Sequence, residues 1–216
     1  MSQALRDLWR PPLAILVILN LFLSVTWNAA PQEDFMDLVL ALLVTAASIY
    51  VQIATNLVGG ARDPGASGDA WFRAALRRRC FWRLVAVELV VLVAVGAGAL
   101  VLVVGAIAVG GITSLAEPAV VLERDGPIAA VRRSARMSRP ARVPLMIVFA
   151  LLVLVPALVG PAASFAGFSG LPLVMVGLVL LPPSMAGTVA LARAYVALGG
   201  TPAPPPDLVQ EPRLNA

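Results

Sequence analysis

The sequence contains no lysine and no histidine, and its single cysteine is Cys80. Without histidine, an imidazole can serve neither as a metal ligand nor as a general acid or base. One cysteine excludes a disulfide within the chain and a metal site built from several thiolates of one chain. Charged residues are also scarce, at 13% of the 216 residues against about 25% in soluble domains. These absences argue against most common enzyme sites and against a soluble globule.

Apolar residues take the place of the missing charges. Hydrophobic residues make up 60% of the chain and the mean hydropathy is +0.90, whereas soluble domains are about 45–50% apolar. A soluble fold of this size would lack the polar residues that cover a surface. The composition therefore predicts an all-α integral membrane protein. The absence of lysine beside abundant alanine, valine and arginine is typical of a GC-rich bacterial genome.

Six apolar stretches are long enough to cross a bilayer of about 30 Å as helices. Basic residues precede the first stretch, as in a cleaved signal peptide, but a second apolar stretch follows at once and favours an uncleaved span. Residues 84–122 would form one helix nearly twice the bilayer thickness, so we expect two spans with a turn near Val103–Gly111. The predicted spans are residues 13–30, 35–58, 84–102, 105–122, 143–163 and 171–198.

The arginines fix the predicted orientation. All 16 basic residues are arginine, and six spans place nearly all of them on one side, while the outer loops carry only Glu33 and Asp34. A single helix over 84–122 would move eight arginines, from Arg124 onward, to the outer side, against the positive-inside rule. We therefore predict a multi-pass protein of the inner (plasma) membrane with both termini cytoplasmic. Residues 199–216 are proline-rich and predict a disordered cytoplasmic tail.

Two arginine-rich segments predict short amphipathic helices at the cytoplasmic interface. In residues 69–82, the side chains of Phe72, Leu76 and Cys80 share one helical face. This helix either binds anionic lipid or only holds its loop inside.

The second predicted interfacial helix covers residues 127–139. Pro127 suits a first helical turn, and Ile128, Val131 and Ala135 share one face. We expect arginines of both helices to contact phosphate headgroups or a partner protein: Arg73, Arg77, Arg78, Arg132, Arg133 and Arg136.

The same region carries a longer pattern, in which residues 118–136 read PAVVLERDGPIAAVRRSAR. This pattern resembles the membrane domain of bacterial glycerophosphoryl diester phosphodiesterases and its stand-alone six-span relatives. In that family, phosphodiester chemistry belongs to a separate soluble barrel with metal and histidine residues, so the resemblance implies the membrane fold without the activity. It also suggests a role in envelope or export systems. We expect Glu123 with Arg133 to fix the interfacial helix. The matching residues are Pro118, Glu123, Gly126, Ala130, Arg133 and Ser134.

A third group of residues lies within apolar surroundings. Glu88 and Glu117 predict a proton or cation site inside the bundle, or else interfacial acids neutralised by nearby arginines. Pro182 and Pro183 predict a broken helix of the kind that exposes backbone at transporter sites, or an ordinary kink. Together these four residues form the predicted intramembrane site.

The functional prediction rests on these surfaces, because nucleotide-binding and hydrolase motifs are missing from the sequence. Ser134 has no histidine base, and arginine cannot act as a base at neutral pH. We predict a scaffold or accessory subunit that is not an enzyme and needs no cofactor or metal. The alternative is a permease subunit for a small or lipidic substrate, driven by a separate ATPase. The expected partners are anionic lipids and a membrane subunit or transporter ATPase, and not nucleic acid.

Overall fold

A computed structural model provides the fold of the chain. It describes residues 35–62, 68–78, 80–99, 103–155, 158–159, 162, 166 and 171–205. The span predicted at residues 13–30 lies outside the described residues. Within them the secondary structure is helical, with no β-strand. The helices are α1 (Phe35–Gly60), α2 (Gly68–Arg77), α3 (Phe81–Ala99), α4 (Val103–Thr113), α5 (Ala116–Glu123), α6 (Pro127–Met137), α7 (Arg142–Phe149) and α8 (Leu171–Ala197).

Several of these helices are suited to a bilayer. Within the described residues, Leu43–Gly60, Phe81–Ala99 and Val104–Glu123 are long and apolar enough to cross a membrane. The number becomes four if Pro127–Met137 and Arg139–Leu154, which meet at an angle of 53°, form one broken span. The chain is therefore a helical protein with the character of a membrane protein.

The long apolar stretch at 84–122 forms an antiparallel pair of helices instead of one helix. The turn predicted near Val103–Gly111 is wrong, because these residues are helical and α3 ends earlier, at Ala99. The glycines of α4 serve close packing instead. A Cβ built on Gly98 of α3 would lie 2.8 Å from the carbonyl oxygen of Gly105 in α4, so the two backbones nearly touch there.

The first arginine-rich segment differs from its prediction in extent. The helix predicted over 69–82 stops at Arg77, and α3 begins at Phe81. The break lets the buried side chain of Arg78 donate a hydrogen bond to the carbonyl oxygen of Leu122. This hydrogen bond partly compensates the cost of burying the guanidinium group.

The buried face of α2 also differs from its prediction. Trp71, Ala74 and Ala75 are fully buried, whereas Phe72 is half-buried and Leu76 is exposed. Phe72 and Leu76 lie four residues apart in α2 and share one side of it, but that side is not the buried one. Small alanines let α2 approach α1 closely, and the indole of Trp71 fills the remaining space.

The side predicted for α6 is only partly buried, because Val131 packs against the core whereas Ile128 does not. Ala130 and Ser134 are the buried residues of this helix, whereas Ile128 is 65% exposed and lies on the same side as the exposed Arg132. Small residues pack against the bundle, and the larger aliphatic side chain points away from it. The helix ends at Met137, close to the predicted end.

Burial divides the bundle into two zones. One zone is tightly packed and contains residues 51–60 of α1, α2, the start of α3, α5 and the end of α8. In the other zone, large aliphatic side chains cover the outside of α3, α7 and α8. Only the first zone has a conventional protein core, which suggests a lipid environment for the second. Examples of the exposed side chains are Leu89 (60%), Leu92 (67%), Val143 (66%) and Val179 (72%).

The packed zone ends at what we call the arginine end, formed by Gly60, Arg83, Arg124 and Tyr195. Arg83 donates a hydrogen bond to the carbonyl oxygen of Arg124, which joins the start of α3 to the end of α5. A Cβ built on Gly60 would lie 2.7 Å from a methyl carbon of Leu122, so α1 ends beside the same residues. Four elements of the chain therefore meet at one end of the bundle.

Residues 199–205, which we call the strap, follow α8 and close over the arginine end. The sequence predicts a disordered tail from residue 199, but the amide of Ala203 donates to the carbonyl oxygen of Gly60 at 2.9 Å, and Ala203 is buried. Backbone hydrogen bonds and this burial offset the entropy cost of ordering the strap. The rest of the predicted tail, residues 206–216, lies outside the described residues.

Candidate functional site

The arginine end contains a polar cluster centred on Glu123, the last residue of α5. The hydroxyl of Tyr195 in α8 donates to Oε1 of Glu123 at 2.7 Å, and the backbone amide of Thr201 in the strap donates to the same atom at 3.0 Å. One carboxylate oxygen therefore connects α5, α8 and the strap. Hydrogen bonds to an ionised acceptor are among the stronger ones in proteins.

An arginine from α6 completes this Glu123 cluster. Arg133 forms an ion pair with Oε2 of Glu123, and its Nε lies 2.7 Å from Oδ2 of Asp125. The turn between these acids is sharp, because Arg124 adopts the left-handed conformation at φ 60° and ψ 30° and ends α5 there. The structure thus brings Glu123 and Arg133 together, as the sequence predicts for these two residues.

Ser134, the neighbour of Arg133, connects α6 to the joint between α4 and α5. Its hydroxyl donates to the carbonyl oxygen of Ile112 at 2.6 Å and accepts the backbone amide of Leu115 at 3.1 Å. The side chain is fully buried, so both bonds replace water at a helix end. Ser134 therefore has a structural position, with its oxygen committed to backbone groups.

Arg78 does not face outward, although the sequence predicts that it contacts headgroups or a partner. Its side chain is buried beneath the end of α5, and burial together with the charge of Arg124 lowers its pKa. An arginine with a lowered pKa still carries its charge at neutral pH. Arg78 thus holds α2 against α5 and is not presented to a phosphate.

The other predicted arginine contacts divide into two groups. Arg77, Arg132 and Arg136 are exposed, so their guanidinium groups are accessible at the surface. Arg73 is exposed as well, but it has an interaction partner within the protein. Arg133 is committed to the Glu123 cluster.

The two intramembrane acids lie next to each other and share a neighbour. The side-chain amide of Gln52 in α1 donates to Oε2 of Glu117 at 2.9 Å and also interacts with the carboxyl group of Glu88. Within the part of the chain that the structure describes, Oε1 of Glu88 is buried without a hydrogen-bond partner. The amide joins α1, α3 and α5 through polar groups inside an otherwise apolar region.

The remaining predicted site residues lie elsewhere in the fold. Pro182 and Pro183 sit within α8, which is helical without interruption from Leu171 to Ala197. The broken-helix alternative is therefore wrong, and the alternative of an ordinary kink stays a prediction. Pro118 occupies the first turn of α5, where a missing amide hydrogen costs little. Gly126 precedes α6 in an extended conformation, and a Cβ added there would meet nothing within 4 Å. The structure gives no reason for glycine at this position.

Three members of these clusters are not predicted from the sequence. Tyr195 and Thr201 are 72 and 78 residues away from Glu123, and Gln52 is 65 residues away from Glu117. A weak signal exists for Gln52, which is a strongly polar side chain within an otherwise apolar stretch. Pairing across such separations becomes visible only when the helices are packed together.

Comparison with known protein families, curated proteins and solved structures finds no match to this chain. The described residues also contain no group of three or more cysteine, aspartate or glutamate side chains positioned to hold a metal ion. The arrangement of the two clusters is therefore the basis for a functional proposal. The Glu123 cluster holds α5, α6, α8 and the strap together at a charged surface. The Gln52–Glu88–Glu117 group is a polar contact inside the bundle.

Proposed function

We propose that this protein is a membrane scaffold or accessory subunit, without enzymatic activity, that acts in an envelope or export system. The observation that carries the proposal is the collection of exposed arginines at and near the arginine end. Exposed guanidinium groups on α2, at the start of α3 and on α6 make this part of the protein cationic, while aliphatic side chains are exposed in the other zone. Such a surface attracts anionic lipid headgroups and acidic segments of partner proteins.

The proposed topology keeps six spans, with the arginine end facing the cytoplasm. The distribution of arginine supports this orientation through the positive-inside rule. With 27 residues, α8 reaches about 40 Å, which is sufficient to cross the hydrocarbon core. The resemblance of residues 118–136 to the membrane domain of glycerophosphoryl diester phosphodiesterases supports the same arrangement and stays a prediction.

The hydrogen bonds and the ion pair of Glu123 make the arginine end rigid, which favours a role as a binding surface over a role in a conformational change. Glu123 connects α5, α6, α8 and the strap through directed hydrogen bonds and an ion pair. A rigid surface loses little conformational entropy when a partner docks on it. The exposed arginines Arg132 and Arg136 extend from the helix that the Glu123 cluster fixes.

The test is purification of the full chain in lipid nanodiscs, followed by mass spectrometry of copurifying subunits. We expect a stoichiometric membrane or ATPase partner that is lost from the double variant Arg132→Gln/Arg136→Gln. The matched control is Glu88→Gln/Glu117→Gln, which removes two charges inside the bundle and is expected to retain the partner. Retention by the arginine variant would contradict the proposal.

The alternative function is a permease subunit, and the Gln52–Glu88–Glu117 group is the observation that favours it. Two carboxyl groups that share one amide inside an apolar bundle can bind a proton or cation. Substrate transport that fails in Glu88→Gln and Glu117→Gln, while the arginine variant transports normally, would favour this alternative. A separate ATPase would then supply the driving force, since the sequence has no nucleotide-binding loop.

A further inference from the structure

The joint between α6 and α7 carries three arginines on consecutive turns. Arg136 lies at the end of α6, Arg139 begins a short 3-10 turn, and Arg142 begins α7. Residues three apart lie above each other in a 3-10 turn, so Arg139 and Arg142 project on the same side. All three side chains are exposed, and the helices on either side meet at 53°. We call Arg136, Arg139 and Arg142 the cationic elbow.

Within the described residues, no carboxylate forms an ion pair with the arginines of the cationic elbow. The sequence contains no aspartate or glutamate between Gly126 and Pro206. Across the described ranges, neither ion pairs nor hydrogen bonds engage these three guanidinium groups, in contrast to Arg133 with its two carboxylates. Three neighbouring cations repel one another, so an anion at this position would relieve the repulsion.

An apolar surface begins immediately beside the cationic elbow. Val143, Ile147, Leu151 and Val155 follow at intervals of four residues and expose 66%, 52%, 53% and 46% of their surface. This spacing places them along one side of α7 and of the π-helical turn Ala150–Leu154 that continues it. We call these four residues the aliphatic stripe. Its length from Val143 to Val155 is about 18 Å at 1.5 Å per residue.

We propose that the cationic elbow and the aliphatic stripe together bind one anionic phospholipid. The guanidinium groups would hold its phosphate through paired hydrogen bonds, and an acyl chain would lie along the aliphatic stripe. An inorganic phosphate would leave the stripe uncovered, and a zwitterionic lipid would leave the charge uncompensated. The inference deepens the proposed function, since it names the lipid class bound by one part of the arginine-rich surface.

The test is native mass spectrometry of the full chain, released from nanodiscs that contain equal amounts of phosphatidylglycerol and phosphatidylcholine with matched acyl chains. We expect the wild-type chain to retain phosphatidylglycerol preferentially. The variant Arg139→Gln/Arg142→Gln should lose about 25-fold in that preference, at about fivefold for each basic residue near a membrane surface. The matched control Arg62→Gln/Arg213→Gln removes the same charge at arginines outside the predicted contact surface and should keep the preference.

A second variant tests the apolar part of the site. Ile147→Asn should lower retention of both lipids and leave the preference for phosphatidylglycerol intact. The inference is overturned if Arg139→Gln/Arg142→Gln keeps the wild-type preference, or if Arg62→Gln/Arg213→Gln loses it equally. Soluble glycerophosphoglycerol that displaces the lipid fully would also overturn it, because the acyl chain would then be irrelevant. Copurification of the partner protein is recorded on the same samples, so failure of the lipid site and failure of the scaffold proposal can be told apart.

Discussion

Cys80 is 1% exposed where α2 passes into α3, and burial raises the pKa of its thiol. The reactive thiolate form is therefore depleted at neutral pH, and reagent access is blocked. We expect maleimide to modify Cys80 in the folded protein at least about tenfold more slowly than an exposed cysteine. The comparison is Leu76→Cys in a Cys80→Ala chain, with labelling followed by intact mass. Equal rates for the two thiols would contradict the buried position.

The two tyrosines of the chain provide a matched test of the Glu123 cluster. Tyr195→Phe removes the hydrogen bond to the Glu123 carboxylate and should reduce the free energy of unfolding by about 1.5–3 kcal/mol. Tyr50→Phe is the control, because the Tyr50 ring stacks on Phe81 with centroids 5.3 Å apart and the substitution keeps that ring. Denaturant unfolding in detergent measures both. A loss as large in Tyr50→Phe would show that the cluster adds nothing specific.

The sequence analysis pairs Glu123 with Arg133 in the segment that carries the family resemblance, and the structure has this ion pair. The sequence does not contain a local signal for Tyr195 or for the buried state of Arg78. Arginine is almost never fully buried without a partner, so a surface position is the natural expectation from sequence. Its actual partner is a backbone carbonyl oxygen at Leu122, and a backbone group has no sequence signature.

At the scale of helices, the contact between α3 and α4 depends on two glycines with no room for a side chain. Gly98→Ala should destabilise the protein by about 1–3 kcal/mol, since its Cβ would lie 2.8 Å from the Gly105 carbonyl oxygen. Gly96→Ala, one half-turn away, meets nothing within 4 Å and should be neutral or stabilise by about 0.5–1 kcal/mol. Unfolding midpoints of the two variants give the comparison. Equal effects would mean that helix propensity, and not the contact, determines the outcome.

Helix existence follows from apolar length, whereas helix faces do not. Hydropathy indicates α1, α3 and α8 because each apolar run is close to or longer than the about 20 residues needed to cross a bilayer. The buried sides of α2 and α6 are not evident from the sequence, since two of their large apolar side chains, Leu76 and Ile128, are exposed. In water this pattern would be unfavourable, but beside lipid the small residues are the ones that gain from close helix packing.

For the whole molecule, we predict that the two ends of the bundle lie on opposite sides of the membrane. In a Cys80→Ala chain, Arg62→Cys and Arg136→Cys should both react with a membrane-impermeant thiol reagent from the cytoplasmic side. Asp37→Cys, at the opposite end of α1, should react only from the other side. Labelling of intact cells and of inverted membrane vesicles distinguishes the two. Reaction of Arg62→Cys and Arg136→Cys from opposite sides would contradict the proposed orientation.

Because the strap is synthesised after the helices, its hydrogen bond to Glu123 forms late in the synthesis of the chain. Thr201 is made 78 residues after Glu123, its partner in α5. A ribosome adding about 5–20 residues per second needs roughly 4 to 16 s to bridge that interval. Throughout this time the carboxylate of Glu123 lacks two of its donors, because Tyr195 also lies near the end of the interval. Membrane insertion of the earlier helices therefore precedes formation of the hydrogen bonds from Tyr195 and Thr201 to Glu123. A nascent chain stalled before the strap would lack these bonds and would expose its charged surface to quality-control proteases.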